Sequence, residues 1–143
     1  MTARPLRILV AEDNPINQLV AVRLLDKHGH TVAVACNGRE AVAAVQGGGF
    51  DLVLMDIQMP EMDGFQATDA IRGSEQLNGG HLPIVALTAH ALAGDRENCL
   101  SSGMDGYLAK PYTAEELNRV LYDVMQIAPT ATQVTYAPTL CDA

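Results

Sequence analysis

Leu52-Val53-Leu54-Met55-Asp56 is a run of four apolar residues that ends directly in a carboxylate. A stretch this short, with no polar residue to face water, reads as a strand of a parallel sheet covered on both faces. Three more runs share its form. Ile8-Leu9-Val10-Ala11 ends in Glu12-Asp13, Ile84-Val85-Ala86-Leu87 ends in Thr88, and the weaker Gly106-Tyr107-Leu108-Ala109 ends in Lys110-Pro111. In a parallel sheet these endings meet at one edge, so three carboxylates, a hydroxyl and an ammonium share a pocket. That mixture suits phosphoryl transfer assisted by a divalent cation.

Helical period takes over between the runs. Asn14-Pro15 reads as an N-cap followed by proline at the first helical position. The helix behind it carries Ile16, Leu19, Val20, Val22, Leu24 and Leu25 and stops before Gly29. Thr31 to Cys36 reads as a second strand, and Arg39 to Gln46 as an alanine-rich helix closed by Gly47-Gly48-Gly49. The loop Met59-Pro60-Glu61-Met62-Asp63-Gly64 leads into a helix over about residues 65–72, and residues 73–81 are expected to form a loop. A weaker helix is expected from Leu92 to Ser102. Thr113-Ala114-Glu115-Glu116 is a capping-box pattern ahead of a last helix whose apolar face is Leu117, Val120, Leu121, Val124 and Met125. Beyond Ala128 no period remains, so residues 1–128 are expected to form one domain and 129–143 a flexible tail or linker.

Five β-then-α units imply an α/β, doubly wound, five-stranded parallel sheet with helices on both faces. Fold rules favour the flavodoxin-like order 2-1-3-4-5, in which ligands bind outside the carboxyl ends of the strands, between the first and third. The strands ending in Glu12-Asp13 and in Asp56 are then neighbours.

The composition agrees with a single domain of 143 residues, 48% of them hydrophobic, whose core is built from Leu, Val, Ile, Ala and Met because the chain has no Trp and two Phe. A formal net charge of −8 argues against a nucleic-acid surface. Cys36, Cys99 and Cys141 are scattered and odd in number, which fits reduced thiols better than a zinc site or a disulfide framework. Neither a membrane span nor a secretory signal is legible, so the expectation is a soluble cytoplasmic protein or a cytoplasmic piece of something larger.

Each site residue has a bland reading. Loop carboxylates are commonly solvated, threonine is a favoured strand residue, and a strand-end lysine often snorkels to water. The combination changes this. Asp56 follows a buried run, where an unpaired charge is costly, and converging carboxylates raise each other's pKa unless a cation holds them. Mg²⁺ answers both problems, and beside the three carboxylates Lys110 becomes a fixed counter-charge. The Lys110-Pro111 bond is a candidate for the cis form. Tyr107 reads by default as a half-buried core aromatic.

The chain resembles the receiver domain of two-component response regulators over residues 6 to about 127. The matching text is residues 8–14, residues 54–64 (Leu54-Met55-Asp56 through Met62-Asp63-Gly64), Ala86-Leu87-Thr88-Ala89 and Gly106 to Pro111. The resemblance implies that Asp56 accepts a phosphoryl group from a phosphohistidine. It further implies that Asp13, Asp56 and the backbone carbonyl of Gln58 ligate Mg²⁺, with Glu12 standing where the family more often has aspartate and reaching the metal through water. Thr88 and Lys110 match groups that bind phosphoryl oxygens, and Tyr107 matches a switch aromatic. Gln58 and His90 match positions that tune the phosphoryl lifetime, although His90 reads more simply as a solvated loop histidine. The implied partner is a histidine kinase or histidine phosphotransfer domain, with the first helix as docking surface. A phosphorylation-dependent dimer through the fourth helix, fifth strand and fifth helix is a further implication.

The main rival is a haloacid-dehalogenase-like phosphatase, which needs an acid two residues after its nucleophile. Gln58 occupies that position, so a signalling phosphoacceptor is expected and not an enzyme. A receiver-like module that is never phosphorylated would typically lack an acid or the lysine. Asp13-Asn14-Pro15-Ile16-Asn17-Gln18 looks like receivers of hybrid sensor kinases, which is preferred to a stand-alone single-domain regulator.

Overall fold

The structure, a computed structural model, describes residues 5–89 and 95–127. The apolar runs form β1 (Arg7–Ala11), β2 (Thr31–Ala35), β3 (Leu52–Asp56), β4 (Ile84–Thr88) and β5 (Gly106–Ala109). Between and after them lie α1 (Pro15–Lys27), α2 (Gly38–Gly47), α3 (Gly64–Asn78), α4 (Asp95–Ser101) and α5 (Ala114–Ile127). All strand pairs are parallel and the order is β2-β1-β3-β4-β5, as expected.

Alternation along each strand divides the core into two. Ile8, Val10, Leu52, Leu54, Val85 and Leu87 pack with Ala21 and Leu25 of α1 and with Leu117, Leu121 and Val124 of α5. Leu9, Val53, Met55, Ile84 and Ala86 face the other way, onto Ala41 of α2, Ala67 and Ile71 of α3, and Cys99 of α4. Every residue of β3 and β4 is buried, which explains why those runs carry no polar residue before their last position.

Register then sets the active edge. Ala11 pairs with Met55, so Glu12 and Asp56 leave adjacent strands at the same level. Thr88 pairs with Ala109, which puts Lys110 one step beyond. The Lys110-Pro111 bond is cis.

The helix ends follow their capping signals. Asn14 Oδ1 accepts from the Ile16 and Asn17 N–H groups at 2.8 and 3.1 Å. Thr113 and Glu116 make the expected reciprocal box, at 3.1 and 2.9 Å.

One expectation fails. The loop anticipated from Gly73 does not begin there, because α3 continues to Asn78. Glycine inside a helix costs about 1 kcal/mol against alanine. The Arg72 guanidinium offsets this by bonding both Glu75 oxygens, at 2.9 and 3.0 Å, and reaching the Leu82 carbonyl and Asp105. Glu75 is held in helical register by this i,i+3 pair and, from beyond the helix, by the Leu82 N–H at 2.7 Å. The described part of α4 starts at Asp95, so its expected start at Leu92 lies outside the described residues, as do His90 and the expected tail at 129–143. Among the described residues no helix is long and apolar enough to cross a membrane.

At the opposite edge of the sheet, buried His30 accepts the Leu6 N–H on Nδ1 at 3.0 Å, which fixes a neutral ring with its proton on Nε2. Burial, with a smaller push from His28, holds its pKa below 6.5. A histidine depressed in the folded state contributes stability that is complete above its unfolded pKa and is lost as pH falls toward the folded one. We predict that the difference in thermal midpoint between the wild type and His30→Gln narrows steadily as pH is lowered from 7 to 5. A difference that does not change over that range would refute the role of His30.

Candidate functional site

Glu12, Asp13 and Asp56 offer carboxylate oxygens that all lie within 4.8 Å of one another. Glu12 and Asp56 are buried at 1% and 5% exposure, whereas Asp13 faces solvent. Lys110 reaches in from the end of β5, its Nζ 3.1 Å from Glu12 Oε1 and 3.3 Å from Asp56 Oδ2. The second Asp56 oxygen, Oδ1, accepts the Gln58 N–H at 3.1 Å. Thr88 closes β4 as a buried residue, and its carbonyl accepts the Lys110 N–H at 2.7 Å. Tyr107 lies half-buried on β5, paired with Ala86 two residues before Thr88. Of the sequence-derived site residues, Glu12, Asp13, Asp56 and Lys110 therefore converge, and Thr88, Gln58 and Tyr107 flank them.

The loop after β3 is tied down by two close backbone approaches. A Cβ on Gly64 would stand 2.5 Å from the Asp56 carbonyl oxygen, and one on Gly38 would strike the Met62 carbonyl. Gly38 also donates its N–H to Met62 at 3.1 Å, which locks the start of α2 to this loop. Beside it opens a groove of about 610 Å³ lined by Asp13, Gln58, Met59, Asp63 and Phe65 among others.

The charges are unequal in consequence. Burial and the hydrogen bond and charge of Glu12 push the Asp56 carboxyl up to about 6, against the pull of Lys110 and the Gln58 N–H. Burial would raise Glu12 too, but hydrogen bonds from Asp56 and Lys110 outweigh it and hold Glu12 below the usual range. Burial opposes the Lys110 ammonium, while the two acids hold its pKa above the ordinary value. Tyr112, absent from the sequence-derived set, is pushed up to about 12 by burial and then by Glu12. Three carboxylates against one ammonium leave a negative pocket of hard oxygen donors. That set fits Mg²⁺, which favours carboxylate, carbonyl and water oxygens.

Sequence reasoning missed the polar residues behind the acids. Asn17 Nδ2 lies 3.5 Å from Glu12 Oε2 and Gln18 Nε2 lies 2.6 Å from the Glu12 carbonyl. Both belong to a stretch read only for its likeness to other sequences, and a helix position gave no signal of which group it would reach.

Comparisons with known proteins agree with this geometry. The family model described as response regulator receiver domain matches residues 8–122. The chain is 50% identical over 122 residues to the sensor protein GacS of Pseudomonas syringae pv. syringae, covering 85% of this chain and 14% of that protein. It is 43% identical over 126 residues to hybrid signal transduction histidine kinase I of Dictyostelium discoideum, covering 85% of this chain and 7% of that protein. The chain thus spans a small fraction of the curated relatives it matches. Among solved structures, the receiver domain of the sensor histidine kinase PA1611 from Pseudomonas aeruginosa, with a magnesium ion in its active site cleft, is similar at 45% identity and a TM-score of 0.77. That match covers 86% of this chain and 99% of that one. The receiver domain of Ssk1, co-crystallised with the histidine phosphotransfer protein Ypd1 of Saccharomyces cerevisiae, is in an assembly matched at 32% identity and a TM-score of 0.78, covering 92% and 94% of the chains.

A carboxyl raised from 3.8 to about 6 costs the folded state stability above that pH, and the cost disappears as pH falls through the folded value toward the unfolded one. Asp56→Asn is therefore expected to stabilise the metal-free protein at pH 8 by on the order of 2 kcal/mol, with the gain fading by pH 4. Mg²⁺ is expected to raise the wild-type midpoint at pH 8 much more than at pH 5. Denaturation of both proteins across pH checks this, and an Asp56→Asn variant less stable than wild type at pH 8 would contradict it.

Proposed function

The chain belongs to the response regulator receiver family, and from that premise we propose that it takes a phosphoryl group from a phosphohistidine onto Asp56 and uses the new charge as a signal. The observation that carries this reading is the buried Asp56 carboxylate, 3.3 Å from the Lys110 ammonium and clustered with Glu12 and Asp13 at the carboxyl edge of the sheet. Glu12, Asp13, Asp56 and the Gln58 backbone carbonyl are the groups that would hold Mg²⁺. When bound, the cation supplies charge neutralisation to the phosphoryl oxygens.

The chain's own residues do the rest. An Asp56 oxygen attacks phosphorus, the P–N bond to the donor imidazole breaks, and its electron pair leaves with the ring. Lys110, already 3.3 Å from Asp56, turns its ammonium to a phosphoryl oxygen, and the Thr88 hydroxyl takes another. Catalysis of this kind is mostly positioning and charge balance. Gln58 carries an amide and cannot protonate a leaving group, which favours storage of the acyl phosphate over phosphatase turnover. Movement of Thr88 toward the new charge frees Tyr107 to turn inward, and this remodels the face formed by α4, β5 and α5. Dimerisation through that face is the finer part of the proposal, along with tuning of the phosphoryl lifetime by Gln58 and His90.

The docking surface for the donor is α1, next to the site. Its Ile16, Leu19 and Val20 are exposed by 72%, 49% and 45%, an apolar patch that a partner helix would cover. The hybrid kinases among the relatives favour a receiver that works as part of such a kinase over a stand-alone regulator.

Acetyl phosphate with Mg²⁺ is expected to add one phosphoryl group to the wild type, read by intact mass, and none to Asp56→Asn. Labelling that survives in the variant, or its failure in the wild type, would overturn the assignment. Leu19→Glu is expected to slow transfer from a phosphorylated histidine phosphotransfer domain by roughly tenfold, with acetyl phosphate labelling unchanged. Equal slowing with both donors would remove α1 as the docking surface.

A further inference from the structure

We propose that Gln18 is a positioning residue for Glu12, fixing the carboxylate of that acid in the cation pocket from behind. The proposal rests on the receiver reading above and adds to it a residue that touches neither phosphate nor metal.

Glu12 is the first residue past the end of β1, where strand pairing runs out. Its N–H still finds β2, donating to the Ala35 carbonyl at 3.0 Å. Its own carbonyl takes the Gln18 side chain, with Nε2 2.6 Å from the oxygen. A carbonyl only accepts, so the amide nitrogen of Gln18 must face it. The same Nε2 lies 3.8 Å from Cys36 Sγ, which anchors it against the residue after β2. The Gln18 amide therefore acts as the strand partner that Glu12 lacks on that side. Buried carbonyls left without such a partner are rare in folded proteins.

With both its N–H and its carbonyl bonded, Glu12 sends its side chain out from a fixed main chain. Oε1 meets Lys110 at 3.1 Å, and Oε2 accepts the Asn14 N–H at 3.2 Å, with Asn17 Nδ2 at 3.5 Å. Glutamate carries one more rotatable bond than aspartate, so at this position it needs more restraint to present its oxygens beside Asp13 and Asp56. Gln18 restrains the main chain from which that side chain starts, and the Asn14 N–H, Asn17 and Lys110 then hold its oxygens. The helix that exposes Ile16, Leu19 and Val20 to a partner is thus the helix that aims an acid of the site.

Two variants test this. Gln18→Met keeps length and bulk without a donor, and Gln18→Asn keeps the amide but falls one methylene short of the carbonyl. Both are expected to weaken Mg²⁺ binding to the unphosphorylated protein by roughly tenfold, the lower end for groups that orient a metal ligand, measured by titration calorimetry alongside the thermal midpoint without Mg²⁺. Weakened Mg²⁺ binding in whichever variant remains folded at the titration temperature supports the proposal. Variants that lose thermal stability but bind Mg²⁺ as tightly as wild type overturn it, because a purely structural role moves only the midpoint. A wild type that binds no Mg²⁺ and takes no label from acetyl phosphate overturns the receiver reading and this inference together. A wild type that does both, with unaltered variants, overturns this inference alone.

Discussion

The Lys110 ammonium lies between Glu12 and Asp56, 98 and 54 residues away in sequence, and the arrangement of the active edge depends on it. Two buried carboxylates at neighbouring strand ends would repel each other and resist ionisation in a dry surrounding. One cation fixed among them makes the cluster tolerable without making it neutral. The remaining excess of negative charge is what gives the pocket its appetite for a divalent cation. In the proposed transfer the same ammonium parts from the acids to meet a phosphoryl oxygen. Structural counter-charge and chemical role are one interaction.

That interaction is possible because of the sheet's register. β3 ends one step past the partner of Ala11, β4 one step past the partner of Asp56, and β5 level with Thr88, so Glu12, Asp56, Thr88 and Lys110 follow one another along the edge. The apolar residues beneath them are buried, and this low-dielectric floor strengthens the charge interactions of Glu12 and Asp56 above it. Close contacts between backbones keep the loops from relaxing away. Gly64 against Asp56, and Gly38 against Met62, hold the phosphoacceptor strand and the β3–α3 loop where any side chain on those glycines would intrude.

Much of this was legible in the chain. An apolar run ending in a charged residue carries its own address in a parallel sheet, and this makes Asp56 and Lys110 legible from sequence alone. The capping residues Asn14 and Thr113 act within a few positions of themselves, so the helix starts they mark are local facts. The extension of α3 past Gly73 was not legible, because Arg72, Leu82, Gly103 and Asp105 oppose the local signal from a distance. No local pattern marks His30, whose ring accepts the Leu6 N–H from 24 positions away.

The sequence by itself determined the alternation of strand and helix, the two-sided burial of the sheet and the identity of the acids, hydroxyl and ammonium at its edge. Those follow from hydrophobic period and from chemistry that each residue carries alone. Only the tertiary structure decided which acid bears the raised pKa, which loops are pinned by glycine and which helix residue restrains Glu12. These depend on distances of a few ångströms between segments far apart in the chain. Hydrogen bonds and charges in a dry pocket change with each such distance, and no local pattern records them.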